Sequence, residues 1–383
     1  MKTPSKTTIR HCLISLKCIP LLALFMIAFA GCSKNKDTEP KKKVPPPPGP
    51  VYKAEPFGVN LAGAEFGVNM PGLFNRDYTY PTIAELDYFK SKGLNLVRLP
   101  FKWERIQPSL RGPLDDLELG RMKNFVNAAE ARGVKIILDM HNYGRRKING
   151  TEHIIGSPDL SIGDVADVWA RLAAEFKSKT NIWAYGLMNE PHGMLTSTPW
   201  FDIAQALITK IRTVDQATMI LVAGDGWSSA WRWPQFSNNL KSLVDPSRNL
   251  MFEAHIYFDN DASGKYDQSY DLEGTTANTG VDRVQPFVKW LKDNKLRGFV
   301  GEYGVPDNDP RWLLTLDNML KYLQNNCVNG TYWAAGPWWG NYTLAVEPKN
   351  GLDRPQMEVL LKYKNTDPAN CKSRFAGDNN LQR

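Results

Sequence analysis

The sequence predicts an α/β fold: a closed (β/α)8 TIM barrel in one domain. Three observations predict it. From residue 57 onward, short β-rich runs alternate with helical patterns eight times. Most of those runs are continuously apolar rather than alternating, as strands buried on both faces are. The span 57–365 also suits a fold that takes about 250 residues or more in one piece.

The first four strand candidates are 57–63 (FGVNLAG), 94–101 (LNLVRLPF), 135–142 (KIILDMHN) and 182–191 (IWAYGLMNEP). The second four are 218–227 (TMILVAGDGW), 250–258 (LMFEAHIYF), 297–304 (RGFVGEYG) and 330–337 (GTYWAAGP). Between them apolar residues recur at helical spacing. One set is Met122, Phe125, Val126 and Ala129; another is Trp169, Leu172, Ala173 and Phe176. A third is Ala204, Leu207, Ile208 and Ile211, and a fourth is Leu316, Met319, Leu320 and Leu323. Thr82 with Glu85, and Asp115 with Glu118, have capping-box spacing. Gly93 and Gly133 stand where those two helices should stop. The weakest helical pattern follows the fifth strand, around 237–243. Val284, Phe287, Val288 and Leu291 fit a helix in which Pro286 belongs near the first turn.

The ends of the chain read differently. Lys2, Lys6, Arg10 and Lys17 precede the apolar run 19–30, which is too short to span a bilayer comfortably and suits a signal peptide. It ends Phe29-Ala30-Gly31-Cys32, similar to a bacterial lipobox, which makes residues 1–31 a lipoprotein signal peptide and Cys32 the lipidated residue. Residues 32–56, with a Lys run and four consecutive prolines, form a semi-rigid tether. Residues 366–383 read as an irregular tail. The expected location is the bacterial cell envelope, on a periplasmic or cell-surface face, with the membrane as a partner through Cys32. Cys327 and Cys371 are the cysteines of the body; they could pair, or stand as two separate buried thiols.

The net charge of +7 is a property of the leader and tether. Residues 1–56 hold ten Lys/Arg and three Asp/Glu, so the remainder carries 37 of each sign. A neutral body gives no support to nucleic acid as a partner and suits a neutral polymer.

In a barrel of this kind the strand C-terminal ends converge on one cup. Here they carry Arg98, then Asp139, His141, Asn142 and Tyr143, then Asn189 and Glu190, then His255 and Tyr257, then Glu302, and Trp333. A single Glu at a strand end is most often a charged loop residue. Glu190 and Glu302 end strands four and seven, which face each other across an eight-stranded barrel. Paired carboxylates are what glycoside hydrolysis requires: one protonates the leaving oxygen, the other attacks or stabilises the anomeric carbon. Other chemistries lack their residues. No strand ends in a Lys placed for a Schiff base, and two His without clustered Asp make a poor metal site. G-x-S-x-G, Walker and dinucleotide fingerprints are missing. Neither metal nor cofactor is expected. His153 and His192 read as loop residues.

Over residues 57–350 the chain resembles glycoside hydrolase family 5, a retaining (β/α)8 family. The motifs that carry the resemblance are GLNLVRLPF (93–101), ILDMHNY (137–143), GLMNEPHG (186–193), EAHIYFDNDASGKY (253–266) and FVGEYG (299–304). FGVNLAGAEFG (57–67), HNYGR (141–145) and MNEPHGM (188–194) look most similar to the endoglucanase branch, secreted cellulases included. The resemblance implies Glu190 as acid/base and Glu302 as nucleophile. Asn189 would bind the sugar 2-hydroxyl, while Tyr257 and Arg98 would hold the nucleophile ionised and oriented. His141 and His255 would bind hydroxyls or steer the carboxylates, and Trp333 would lie under the reacting sugar. Arg98 as a buried ion pair and Trp333 as core are the structural alternatives. Trp103, Trp227, Trp231, Trp233, Trp338 and Trp339 fall in segments read as loops past strand ends, and Trp227 and Trp338 are the candidate sugar subsites.

The expected activity is a monomeric, retaining endo-β-1,4-glucanase acting on β-glucan. A mannanase, lichenase or xyloglucanase would share the same central residues. A catalytically dead glycan-binding lipoprotein is the alternative from another class, and paired carboxylates argue against it.

Overall fold

A computed structural model describes residues 57–364. The signal-peptide, lipidation, tether and tail readings, with Cys32 and Cys371, lie outside the described residues. All eight expected strands form. In chain order the strands are β1 (Gly58–Leu61), β2 (Leu96–Phe101), β3 (Lys135–Met140), β4 (Arg145–Ile148), β5 (Thr151–Ile154), β6 (Ile182–Gly186), β7 (Met219–Ala223), β8 (Leu250–His255), β9 (Gly298–Glu302) and β10 (Asn329–Ala335). Eight of them pair in parallel around a closed ring, β1-β2-β3-β6-β7-β8-β9-β10 and back to β1. The remaining two, β4 and β5, make an antiparallel hairpin above the barrel mouth. The sequence reading did not foresee it, although Asn149 and Gly150 at its tip have φ +50 and +83, the backbone that a two-residue hairpin turn demands.

The helices follow their caps. α1 (Ile83–Ser91) starts at Thr82, whose side chain and Glu85 form the expected capping box. After α2 (Trp103–Ile106), α3 (Asp116–Ala131) is capped by the Asp115 carboxylate alone. Gly93 and Gly133, at φ +83 and +67, end α1 and α3, a conformation that costs glycine little. α4 (Ile162–Phe176) and α5 (Trp200–Arg212) bury the expected stripes. The helix expected around 237–243 is instead a single turn, α6 (Trp233–Phe236), and a 3-10 stretch over Asn238–Ser242. Ser237, Asn238 and Asn239 are weak helix formers there. α7 (Thr279–Asn294) carries Pro286 in its interior rather than its first turn. Pro286 has no N–H to donate to the carbonyl of Asp282 one turn back, and Asp282 is exposed. α8 (Pro310–Asn325) and α9 (Pro355–Leu360) complete the outer layer.

Side chains fill the barrel interior in layers, two residues apart along each strand. Leu96, Ile137, Ala184, Met219, Leu221 and Phe299 make an apolar floor. One step toward the mouth, the same inward rows carry Arg98, Asp139, Gly186 and Gly301, and Glu253 on β8. Arg98, Asp139 and Glu253 are at most 1% exposed. An apolar floor under a charged layer lets strands read as buried throughout and still present chemistry at one end.

Candidate active site

Burying three charged side chains in one layer is tolerable only if they pair. Arg98 does the pairing. Its guanidinium lies 3.0 Å from Asp139 Oδ1, 2.9 Å from Glu253 Oε1 and 2.9 Å from Glu302 Oε1. It also donates to Asn60 Oδ1 at 2.9 Å and to Asn189 Oδ1 at 2.7 Å. Arg98 is therefore a buried ion pair that also touches the carboxylate of Glu302. Burial opposes its charge, but the surrounding carboxylates raise its pKa further.

Glu302 ends β9 at 4% exposure. Arg98 donates to one of its oxygens and the Tyr257 hydroxyl to the other, at 3.0 Å. Tyr257 is itself buried, which raises its pKa well above the ordinary phenol value, with Glu302 adding to the shift, so it remains an O–H donor. Glu190 follows β6 on a turn that gives it φ +43, and its Oε1 lies 2.8 Å from His255 Nδ1. Ligand atoms of Glu190, His255 and Glu302 all fall within 4.8 Å of one another. Such a trio could hold a metal ion geometrically.

His141 and Asn189 form the neighbouring wall. Because Arg98 occupies Asn189 Oδ1, the Asn189 amide points its Nδ2 at His141 Nε2, 3.2 Å away. Tyr143 O–H reaches the same nitrogen at 3.1 Å. His141 Nε2 is thus the acceptor, and Nδ1 carries the hydrogen toward Asp139 Oδ2 at 2.8 Å. Burial lowers the His141 pKa well below its ordinary value, in keeping with a neutral ring. Burial also raises Asp139 to about 7 against the pull of Arg98. Trp333 is half-buried and its ring stacks near His141, with centroids 5.5 Å apart and planes 14° apart. Its peptide bond to Ala334 is cis.

A cleft of about 770 Å³ opens above this floor, lined by Glu190, His255 and Tyr257, by Lys102 and Tyr143, by the β4–β5 hairpin, and by His192 and Trp227. The tryptophans divide. Trp227 is 49% exposed, at φ +65, and stacked on His192 with centroids 3.3 Å apart. Trp338 is also exposed, at 42%. Trp103 and Trp233 are fully buried, in α2 and α6 rather than in open loops. Trp339 packs edge-on against Trp333 and Phe66.

His192, read as a plain loop residue, supports Trp227, and His153 lies in β5. Asn60, Asp139 and Glu253 were given no role by the sequence reading. A signal for two of them was present: Asp139-Met-His141 and Glu253-Ala-His255 repeat one carboxylate-x-His pattern on two strands, and a two-residue step keeps both groups on one face. Cys327 is disulfide-bonded.

The Cellulase (glycosyl hydrolase family 5) model matches residues 54–338. Endo-beta-1,4-glucanase B of Aspergillus niger is 36% identical over 80% of this chain and 89% of its own length. The Pseudomonas stutzeri endoglucanase Cel5A, solved with cellobiose, is 42% identical over 82% of this chain and 93% of that one, at a TM-score of 0.77. XacCel5A, solved with cellopentaose, is 41% identical over 81% of this chain and 100% of that one, at a TM-score of 0.75. With an eight-stranded barrel, opposed strand-end glutamates and these likenesses, the chain belongs to the cellulase family, glycosyl hydrolase family 5, and is a glycoside hydrolase.

Proposed function

We propose that this chain is a retaining endo-β-1,4-glucanase, with Glu302 as nucleophile and Glu190 as acid/base. The observation that carries the mechanism is the spacing of the two carboxylates. Retaining enzymes hold theirs about 5–5.5 Å apart, whereas inverting enzymes need about 6.5–9.5 Å to seat a water. An oxygen of Glu190 lies within 4.8 Å of one of Glu302, on the retaining side.

The two carboxylates are also equipped differently. Glu302 receives a hydrogen bond on each oxygen, from Arg98 and Tyr257. Donors on both oxygens hold in place the carboxylate that attacks the anomeric carbon. Glu190 is engaged on Oε1 by His255, which leaves Oε2 to face the glycosidic oxygen. Glu190 gives its proton to the departing sugar as Glu302 forms the glycosyl-enzyme. It then takes a proton from the water that releases the product. The Asn189 amide, oriented by Arg98, has a second N–H to offer the 2-hydroxyl.

β-1,4-Glucan as substrate is supported by the endoglucanase relatives, two of them solved with cellobiose and cellopentaose, and by the neutral body. Internal cutting is supported by the open cleft with Trp227 and His192 along its wall. Viscosity of a soluble cellulose derivative should fall faster than reducing ends appear. Release of glucose or cellobiose alone would contradict an endo mode, and faster cutting of mannan would reassign the substrate.

Glu190→Ala should keep activity on an activated aryl glycoside, with azide speeding turnover to a β-glycosyl azide. Glu302→Ala should stall on every substrate, and azide in its place should give the α-product. The reverse pattern would exchange the two roles.

The leader, lipobox and tether support a cell-envelope lipoprotein anchored through Cys32. Cys32→Ser should leave activity intact and release the enzyme from membranes; continued co-sedimentation would contradict the anchor.

A further inference from the structure

We propose that Glu253 is a positioning residue of this reaction: from beneath His255 it holds the ring as an imidazolium whose Nδ1–H serves Glu190 and faces Glu302. The proposal rests on the roles given above to Glu190 and Glu302, and it begins from the two carboxylate-x-His pairs. They look alike in sequence and differ in what the far ring nitrogen meets.

His141 presents Nε2 to two donors, Asn189 Nδ2 and Tyr143 O–H. That nitrogen must be a lone pair, so the ring is neutral. His255 presents Nδ1 to two carboxylates, Glu190 Oε1 at 2.8 Å and Glu302 Oε2 at 3.6 Å. Its Nε2 meets a third, Glu253 Oε1, at 3.4 Å. With acceptors at both ends, a neutral ring would set a lone pair against a carboxylate oxygen. Both nitrogens therefore carry hydrogens.

The groups facing His255 come from every side of the mouth: Glu190 after β6, Glu302 on β9, Arg98 on β2, Asp139 on β3 and Glu253 on its own strand. Burial alone would discharge the ring. Glu302, Glu190 and Glu253 outweigh it and raise its pKa to about 10.

Glu253 is held in turn. Arg98 Nε lies 2.9 Å from Oε1, and burial, which would raise its pKa, is outweighed by Arg98 and His255. Its space is also reserved. A Cβ at Gly301 would lie 1.9 Å from Glu253 Oε1, so the residue just before the nucleophile must be bare for this carboxylate to enter. The consequence for the reaction is a fixed Oε1 on Glu190. Oε2 is left as the oxygen that carries the transferred proton, in the same place for both steps.

The full chain carries five histidines, few enough to follow by NMR with isotope-labelled imidazole, and the His255 signal is assigned by its loss in His255→Asn. In the wild type the ring should remain charged through pH 9. In Glu253→Gln its midpoint should fall by about 1–3 units, the usual effect of an adjacent opposite charge. The alkaline limit of kcat on cellopentaose should move down in pH by the same interval, with KM within about twofold. Gly301→Ala keeps the carboxyl but displaces it, and should shift the same midpoint in the same direction. An unchanged His255 midpoint in both variants would overturn the proposal, and so would a kcat loss matched by loss of folded enzyme. The NMR midpoint is read without turnover, whereas the azide experiment tests Glu190 and Glu302 directly, so failure of one is distinguishable from failure of the other.

Discussion

Tyr257→Phe removes one oxygen from the site and almost nothing else. The Tyr257 ring stays where it packs, with Gly264 passing so close that a Cβ there would lie 2.9 Å from it. What is lost is the 3.0 Å hydrogen bond to Glu302 Oε2. Arg98 still serves Oε1, and His255, at 3.6 Å from Oε2, is too distant to replace the hydroxyl without movement. A hydrogen bond to a charged group contributes about 1.5–3 kcal/mol. If that bond orients the attacking carboxylate, kcat/KM on an activated aryl cellobioside should fall about 10- to 150-fold, by the usual conversion of free energy to rate. The loss should reside in kcat, because no sugar-binding contact is removed. Single-turnover release of the aryl group isolates the glycosylation step, where Glu302 attacks. A variant within twofold of wild type would show that the Tyr257 hydroxyl does not support the nucleophile.

Two further outcomes follow from the cleft and the rim. Trp227→Ala should weaken apparent binding of cellopentaose by about 2- to 12-fold, the range for an aromatic contact of about 0.5–1.5 kcal/mol; unchanged binding would remove Trp227 from the sugar path. Glu347, pushed up to about 8 by burial and then by the neighbouring Glu85, binds its proton more tightly folded than unfolded. Its stabilisation is therefore full below about pH 4.5 and lost as pH rises through about 8. Glu347→Gln should flatten the decline of Tm between pH 5 and 9, and a parallel decline in both proteins would refute that source.

The eight strands were legible because buried parallel strands are written as apolar runs, and the helices because their caps and stripes are local. The C-terminal strand ends were drawn too long. The fourth run, expected to reach residue 191, leaves the ladder after Gly186, since Glu190 requires a turn at positive φ that no strand supplies. Site residues sit where the ladder stops, which is why both were found near each other and neither boundary was right. Tryptophan exposure was not legible. Trp103 and Trp227 both follow strands, yet one is a plug between barrel and hairpin and the other a cleft wall; that difference depends on which neighbour reaches the ring, a long-range fact. Arg98 was read as either an ion pair or a site residue because sequence does not reveal that Asp139, Glu253 and Glu302 converge on one guanidinium.

The central claim, two carboxylates working in succession from opposite faces of the anomeric carbon, is tested most directly by the configuration of the first product. Proton NMR of cellopentaose hydrolysis, recorded before mutarotation, reports the anomer released at the new reducing end. Double displacement by Glu302 and then by water predicts the β-anomer first, with the α-anomer growing in later. An initial α-anomer would mean single displacement by water, and would contradict a covalent role for Glu302.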